Sequence, residues 1–130
     1  MTHPNVERLR TLYDNFVAGK LEAVLAACAD EIIFHVPGCN ALSGSYTKAQ
    51  FGPELIMRVM QLSGGTFQEV VEDVLANDTH GVVLATHRLQ RNGATHEYQT
   101  AHVWRIREGV FTEWREYPRD LHQFDAIWSA

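Results

Sequence analysis

Apolar positions in the first part of the chain recur with a helical period. Val6, Leu9, Tyr13, Phe16 and Val17 form one stripe, and Gly19 follows as a typical helix-ending residue. Leu21, Val24, Leu25 and Cys28 predict a second helix with those side chains on one face. IIFHVPG, Ile32–Gly38, reads as a short strand closed by Pro37-Gly38, and the segment from Cys39 to Tyr46 reads as a loop. Thr47 and Gln50 have the spacing of a capping box. The helix they start would bury Leu55, Ile56, Val59, Met60 and Leu62 and end at Ser63-Gly64-Gly65. Pro53 sits awkwardly inside it and suits the first turn better.

The second half alternates instead. TFQEVVEDVLA, GVVLATHRLQR, THEYQTAHVWRI and VFTEWREY read as four long strands, broken by turn residues at Asn77–Gly81, Asn92-Gly93 and Glu108-Gly109. Asp120 is placed to cap a last helical turn, Leu121–Ile127. Helices followed by an antiparallel meander predict an α+β fold: one domain over residues 1–130, with a curved mixed or antiparallel sheet wrapped on three N-terminal helices.

The hairpins decide which side chains share a face. Asn-Gly favours a type I′ turn, which needs positive φ at both central residues. A two-residue turn at Asn92-Gly93 pairs Arg91 with Ala94, Leu89 with His96, His87 with Tyr98, Ala85 with Thr100 and Val83 with His102. One face then gathers His87, Tyr98, Thr100, His102 and Trp104. The second hairpin admits two registers. A two-residue turn at Glu108-Gly109 sets Glu116 opposite Ala101. A three-residue turn at Arg107-Glu108-Gly109 pairs His102 with Trp114 and Thr100 with Glu116, which brings His102, Trp104, Trp114 and Glu116 to one face. Simple alternation puts Val110 and Thr112 on the same face as Trp114 and Glu116.

Composition narrows the function classes. A net charge of −5 and the absence of clustered Lys or Arg argue against nucleic acid. No apolar run approaches the ~20 residues of a membrane helix, and the N-terminus, MTHPNVERLR, has no apolar signal segment. Cys28 and Cys39 lack metal-ligand spacing and read as reduced thiols, so the simplest location is the cytoplasm.

The sequence has no nucleophilic Ser or Cys beside a base, no glycine-rich phosphate loop and no nucleotide fingerprint. That leaves cofactor-free acid/base chemistry or plain binding. Glu116 on a cavity wall beside Trp104 and Trp114 would be desolvated, which raises a carboxyl pKa towards the range of a base near neutrality. His102 would hydrogen-bond a substrate carbonyl and stabilise an enolate. Trp104 and Trp114 offer flat walls for a ring ligand. A zinc site at His35, His87 and His102 lacks any ligand spacing, so no metal is expected.

HVPG, Leu42–Tyr46, EDVLAND, HVWRIREG and EWREYPRDLHQFDAIW resemble the SnoaL-like branch of the nuclear transport factor 2-like superfamily, over nearly the whole chain. The resemblance implies a cone-shaped fold with a cavity between sheet and helices, and a homodimer formed through the outer sheet face. It implies a polyketide cyclase or isomerase type of activity without cofactor, on an apolar small molecule. By position it makes Glu116 the acid/base and His102 its neighbour, with Tyr13 and His35 in the pocket, where His87, on the face of His102, would complete the polar cluster. It equally admits a non-catalytic ligand-binding or dimeric interaction domain. Two related reactions fit poorly. The Arg-x-Asp pair of limonene epoxide hydrolases is replaced by His87-Arg88-Leu89, and Val36 precedes Pro37 where ketosteroid isomerase has its aspartate base.

Overall fold

The computed structural model describes Thr2–Ala130. It begins with α1 (Pro4–Val17) and α2 (Leu21–Ala26). Pro4 starts α1, where a missing N–H costs nothing, and the His3 side chain accepts from the Asn5 N–H. α1 buries Val6, Leu9, Leu12 and Tyr13, while Val17, expected on the same stripe, is exposed. Cys28 was expected on α2 but opens β1 (Cys28–Val36). The chain leaves the helix because the Ala27 carbonyl accepts from Phe111 N–H, which passes the backbone to the sheet.

The stretch expected as a loop contains β2 (Gly44–Thr47), antiparallel to β1 with Val36 opposite Gly44 and Phe34 opposite Tyr46. Asn40 tightens the preceding turn by accepting from Leu42 N–H, which brings the chain back onto β1. Gly38, at φ 86°, packs against the Asp125 carboxylate, where any side chain would collide.

The capping box at Thr47 and Gln50 forms and starts α3 (Lys48–Gln50). A π-helical turn (Phe51–Ile56) and α4 (Met57–Leu62) continue it. Pro53 therefore lies inside the helical run and not in its first turn. The wider turn, with Met57 N–H bonded to the Gly52 carbonyl, accommodates a residue that has no N–H to donate.

The remaining strands are β3 (Gln68–Ala76), β4 (His80–Arg91), β5 (Ala94–Arg107) and β6 (Val110–Pro118), followed by α5 (Leu121–Ile127). Asp120 caps α5 by accepting from Gln123 N–H. The six-stranded sheet runs β2-β1-β6-β5-β4-β3, with only β1 and β6 parallel. The result is the expected α+β architecture, with helices covering one face of a curved mixed sheet. Trp128, Phe34, Phe111 and Phe124 are the largest wholly buried side chains. Each such side chain contributes about 1.5–3 kcal/mol by leaving water.

The first hairpin has the expected register, from Arg91 opposite Ala94 to Val83 opposite His102. The second follows neither expected register. Its turn is the two-residue Glu108-Gly109, with φ of 51° and 79°. Thr112 is then an extra residue on β6: Ile106 pairs with Phe111, but Arg105 pairs with Glu113. His102 consequently lies opposite Glu116 and Trp104 opposite Trp114. This β-bulge reverses the alternation. Trp114 and Glu116 share the inner face with Phe111, not with Val110 and Thr112.

Candidate functional site

Two bulges aim two carboxylates into the same cavity. On β6, the extra residue Thr112 turns Glu116 inward. On β3, Glu72 is the extra residue between Val71, opposite Ala85, and Asp73, opposite Leu84. Val74 faces the core after that bulge, while Phe67, Glu69 and Val71 turn inward before it. Glu69 thus lies across from His87, with its side chain only 5% exposed. No expectation from the sequence included Glu69. Alternation counted back from Val74 points it outward; only Phe67 and Val71 on either side signal otherwise.

The polar groups form two chains of the same composition. In the first, Trp104 Nε1–H donates to Tyr13 Oη at 3.0 Å, and Tyr13 Oη lies 2.6 Å from His102 Nδ1. His102 Nε2 lies 3.3 Å from Glu116 Oε2, which also accepts from Thr100 Oγ1 at 3.1 Å. In the second, Trp128 Nε1–H donates to Tyr98 Oη at 3.0 Å, and Tyr98 Oη lies 2.9 Å from His87 Nδ1. His87 Nε2 lies 2.5 Å from Glu69 Oε2. The chains approach each other: His87 Nδ1 is 3.7 Å from Glu116 Oε2, and His102 Nδ1 is 3.8 Å from Glu69 Oε2.

Tautomers follow from counting hydrogens. An indole N–H only donates, so each tryptophan occupies one lone pair of its tyrosine oxygen. With His102 neutral, Tyr13 O–H donates to Nδ1 and Nε2–H donates to Glu116. With His102 charged, Nδ1–H takes the second lone pair of Tyr13, and the tyrosine hydrogen is released to the cavity. The same count holds for Tyr98 and His87.

Burial pushes the Glu116 carboxyl up, but the hydrogen bond and charge of His102, the charge of His87 and the Thr100 hydroxyl outweigh it. Its pKa falls below the usual carboxylate value, which corrects the expectation that desolvation would raise it. Glu69 is likewise raised by burial and brought below its usual value by the hydrogen bond and charge of His87 and the charge of His102. Burial pushes His102 down, and the hydrogen bond and charge of Glu116, with the charge of Glu69, carry it above its usual value. Burial, foremost, lifts the Tyr13 and Tyr98 phenols well above theirs, so both remain hydroxyls. A carboxylate deep in the protein stays charged here because its counter-charge is buried with it.

These groups line one end of a cavity whose remaining walls are apolar, among them Leu12, Phe16, Phe34, Phe51 and Leu55. Its atom-free space is about 660 Å³ including the mouth, of which about 80 Å³ admits the centre of a water molecule. Tyr13, His87, His102, Trp104, Trp114 and Glu116 all line it, as the sequence expected. His35 does not. Phe34 and Val36 take the inner face of β1, so alternation turns His35 outward to Ser45 Oγ at 2.9 Å and Glu113 at 3.5 Å. Tyr98 and Trp128 join the wall alongside Glu69.

Glu69, His87 and His102 offer ligand atoms within 4.8 Å of one another, a set of the type that holds a metal ion. In this structure those atoms bond to each other and to the tyrosines. A metal would have to break the 2.5 Å Glu69–His87 contact. Among the described residues no buried side-chain nitrogen or oxygen lacks a partner that a metal would satisfy.

The sequence profile of the SnoaL-like domain family matches residues 9–114. No curated protein matches the chain significantly in sequence. Solved structures match closely in fold. A protein of unknown function from Burkholderia pseudomallei, described as NTF2-like, is 22% identical, with 99% of this chain and 100% of that one aligned and a TM-score of 0.85. TerC, co-crystallised with polyporic acid, is 21% identical over 96% of this chain and 98% of its own, with a TM-score of 0.82. An LEH-like epoxide hydrolase of M. tuberculosis is 16% identical over 95% and 88%, with a TM-score of 0.70. At these identities the likeness shows the fold.

Proposed function

Because the chain belongs to the SnoaL-like domain family, a fold of small-molecule-binding type, we propose that it is a cofactor-independent acid/base enzyme. It removes a proton next to the carbonyl of an apolar ring compound, in the manner of a polyketide cyclase or isomerase. The observation that carries this reading is the ionised Glu116, paired with His102 inside an otherwise apolar cavity.

Both hydrogen bonds of Glu116 fall on Oε2, and no described residue donates to Oε1. Oε1 is the base that takes the proton from the carbon next to the carbonyl. The electron pair moves onto the carbonyl oxygen, where Tyr13 O–H, freed by a charged His102, donates to the developing enolate. Trp104 and Trp114 hold the ring. Low dielectric strengthens each of these interactions. A fold relative co-crystallised with polyporic acid supports a small-molecule ligand. Epoxide hydrolysis is not proposed, because Arg88 is exposed on the outer face of β4 and Leu89 is buried in the core.

The test begins with thermal shift against aromatic polyketides, steroids, terpenoid epoxides and fatty acids. A ligand at 100 times its dissociation constant stabilises the fold by ~2.7 kcal/mol. With a hit in hand, Glu116→Gln is expected to lose turnover ~10²–10⁴-fold while retaining fold and binding. A variant as active as the wild type contradicts the proposal.

One observation favours a second reading, a non-catalytic binding protein. Among the described residues the buried polar groups satisfy one another, so the site is stable without a substrate. That reading predicts binding with no turnover by the wild type. In either case we assign a homodimer through the outer sheet face, where exposed Leu84 and Tyr117 flank Ala101 in one cross-strand row beside exposed Val70. Sedimentation equilibrium tests it. The free Cys28 and Cys39 suit a cytoplasmic setting, and no helix is long and apolar enough to cross a membrane.

A further inference from the structure

The proposed reaction uses only one of the two hydrogen-bonded chains. Trp128, Tyr98, His87 and Glu69 repeat the order of Trp104, Tyr13, His102 and Glu116, line the same cavity, and have no part in removing the first proton. We infer that this second chain is a proton donor: Tyr98 gives its hydroxyl hydrogen to a second oxygen of the substrate and is reprotonated by His87. The ligand class is therefore a ring compound with two carbonyl groups, one enolised and one attacked. This inference rests on the acid/base reading of Glu116.

The geometry supports delivery through Tyr98. Trp128 Nε1–H fills one lone pair of Tyr98 Oη, and a charged His87 fills the other with Nδ1–H at 2.9 Å. The Tyr98 hydrogen then has no acceptor among the described residues and is directed to the cavity. Glu69 Oε2 at 2.5 Å from Nε2 holds the imidazole ring in place, with Nδ1 towards Tyr98. Glu69 and Trp128 are positioning residues; Tyr98 is the group that touches substrate.

The step balances. Glu116 takes a proton from the carbon beside the first carbonyl, and the enolate carbon attacks the second carbonyl carbon. A C–C bond forms, the second C=O π bond breaks, and its oxygen takes the proton from Tyr98, which recovers one from His87 Nδ1. The product is a β-hydroxy ketone, an isomer of the substrate. Glu116 is left protonated and His87 neutral. His87 Nδ1 lies 3.7 Å from Glu116 Oε2, too far for direct transfer, so once product leaves, a water entering the cavity takes the proton from Glu116 and returns one to His87, which resets the site.

The probe is ortho-acetonylacetophenone, an aryl methyl ketone with a second ketone placed for six-membered ring closure. Two rates are read in deuterated buffer by NMR: deuterium entering the acetyl methyl group, and ring closure. The wild type is expected to do both. Tyr98→Phe is expected to keep the deuterium-exchange rate and to lose ring closure ~10²-fold, and Glu69→Gln, which also withdraws a charge 3.8 Å from His102, is expected to slow ring closure by far more than it slows exchange. Glu116→Gln is expected to lose both. Exchange and closure unchanged in Tyr98→Phe and Glu69→Gln overturn the inference while leaving the acid/base reading intact. Equal loss of both rates in folded Tyr98→Phe and Glu69→Gln also overturns it, since the second chain would then serve only the first step. A wild type that exchanges no hydrogen overturns the acid/base reading, and the inference with it. Circular dichroism confirms that each variant is folded. Glu69→Gln preserves shape and a hydrogen-bonding atom should Tyr98→Phe disturb packing.

Discussion

The two Trp-Tyr-His-Glu chains are built from the same residue types but are tensioned differently. The Glu116 chain is tight between tyrosine and histidine, at 2.6 Å, and loose between histidine and glutamate, at 3.3 Å. The Glu69 chain is the reverse, at 2.9 Å and 2.5 Å. Glu116 divides its negative charge between His102 and Thr100, whereas Glu69 commits its bonded oxygen to one histidine. A carboxylate less committed to its histidine is better placed to accept a proton from carbon, and one held close to its imidazole is better placed to fix that ring in position. Under the proposed mechanism, similar sets of side chains on one sheet serve as base and donor through differences of about an ångström.

Their scaffolds differ as well. The Glu116 chain uses the middle of the sheet, β5 and β6, and α1. The Glu69 chain uses the edge strand β3, the β4–β5 pair and the C-terminal Trp128, whose carbonyl is tied to Ala41 N–H at 2.9 Å. An edge strand opens more readily than a central pair.

The largest expected difference comes from removing each histidine. His87→Leu removes the one hydrogen bond that the Glu69 carboxylate makes among the described residues and leaves only His102 at 3.8 Å, and breaking a buried pair in this way costs about 3–5 kcal/mol. His102→Leu leaves Glu116 with Thr100 and with His87 at 3.7 Å, so its loss in a urea melt is expected to be smaller. Equal losses would mean that the two pairs are equally committed. A smaller effect is expected from removing each hydroxyl. Tyr98→Phe and Tyr13→Phe each leave an indole N–H without its acceptor, at about 1–3 kcal/mol, measurable by the same melts.

The pH dependence of stability sharpens the comparison at the smallest scale. His102 has a raised pKa, so its contribution is complete below its ordinary 6.5 and is lost as pH rises through its folded value. Glu69 and Glu116 have lowered values, so theirs is complete above the ordinary 4.5 and is lost as pH falls through their folded values. Together these groups predict a stability plateau between 4.5 and 6.5 in chemical melts across pH. His102→Leu is expected to remove the alkaline decline that His102 causes.

Much of the fold was legible because its signals are local. Asn92-Gly93 set a register that carried through to His102, and Thr47 with Gln50 marked a helix start. The Glu116 side of the site was legible by its family resemblance and its face. What was not legible depends on insertions of one residue. Thr112 makes a bulge that neither turn length predicts, yet it leaves Glu116 on the face that the longer turn would have given. Glu72 makes the bulge that turns Glu69 inward, and nothing in EVVEDV distinguishes the extra residue from its neighbours. His35 fails for the opposite reason: plain alternation with Phe34 and Val36 turns it outward, and a positional match to a relative's pocket residue could not override that.

The central claim is that Glu116 and His102 stand as a charged pair inside an apolar cavity. It is tested most directly by recording the His102 side-chain nitrogens by NMR through a pH titration, in the wild type and in Glu116→Gln. The account predicts that wild-type His102 stays protonated above the ordinary 6.5 and that Glu116→Gln lowers its pKa, because burial then acts with less opposition. A His102 that titrates identically in both proteins would contradict it.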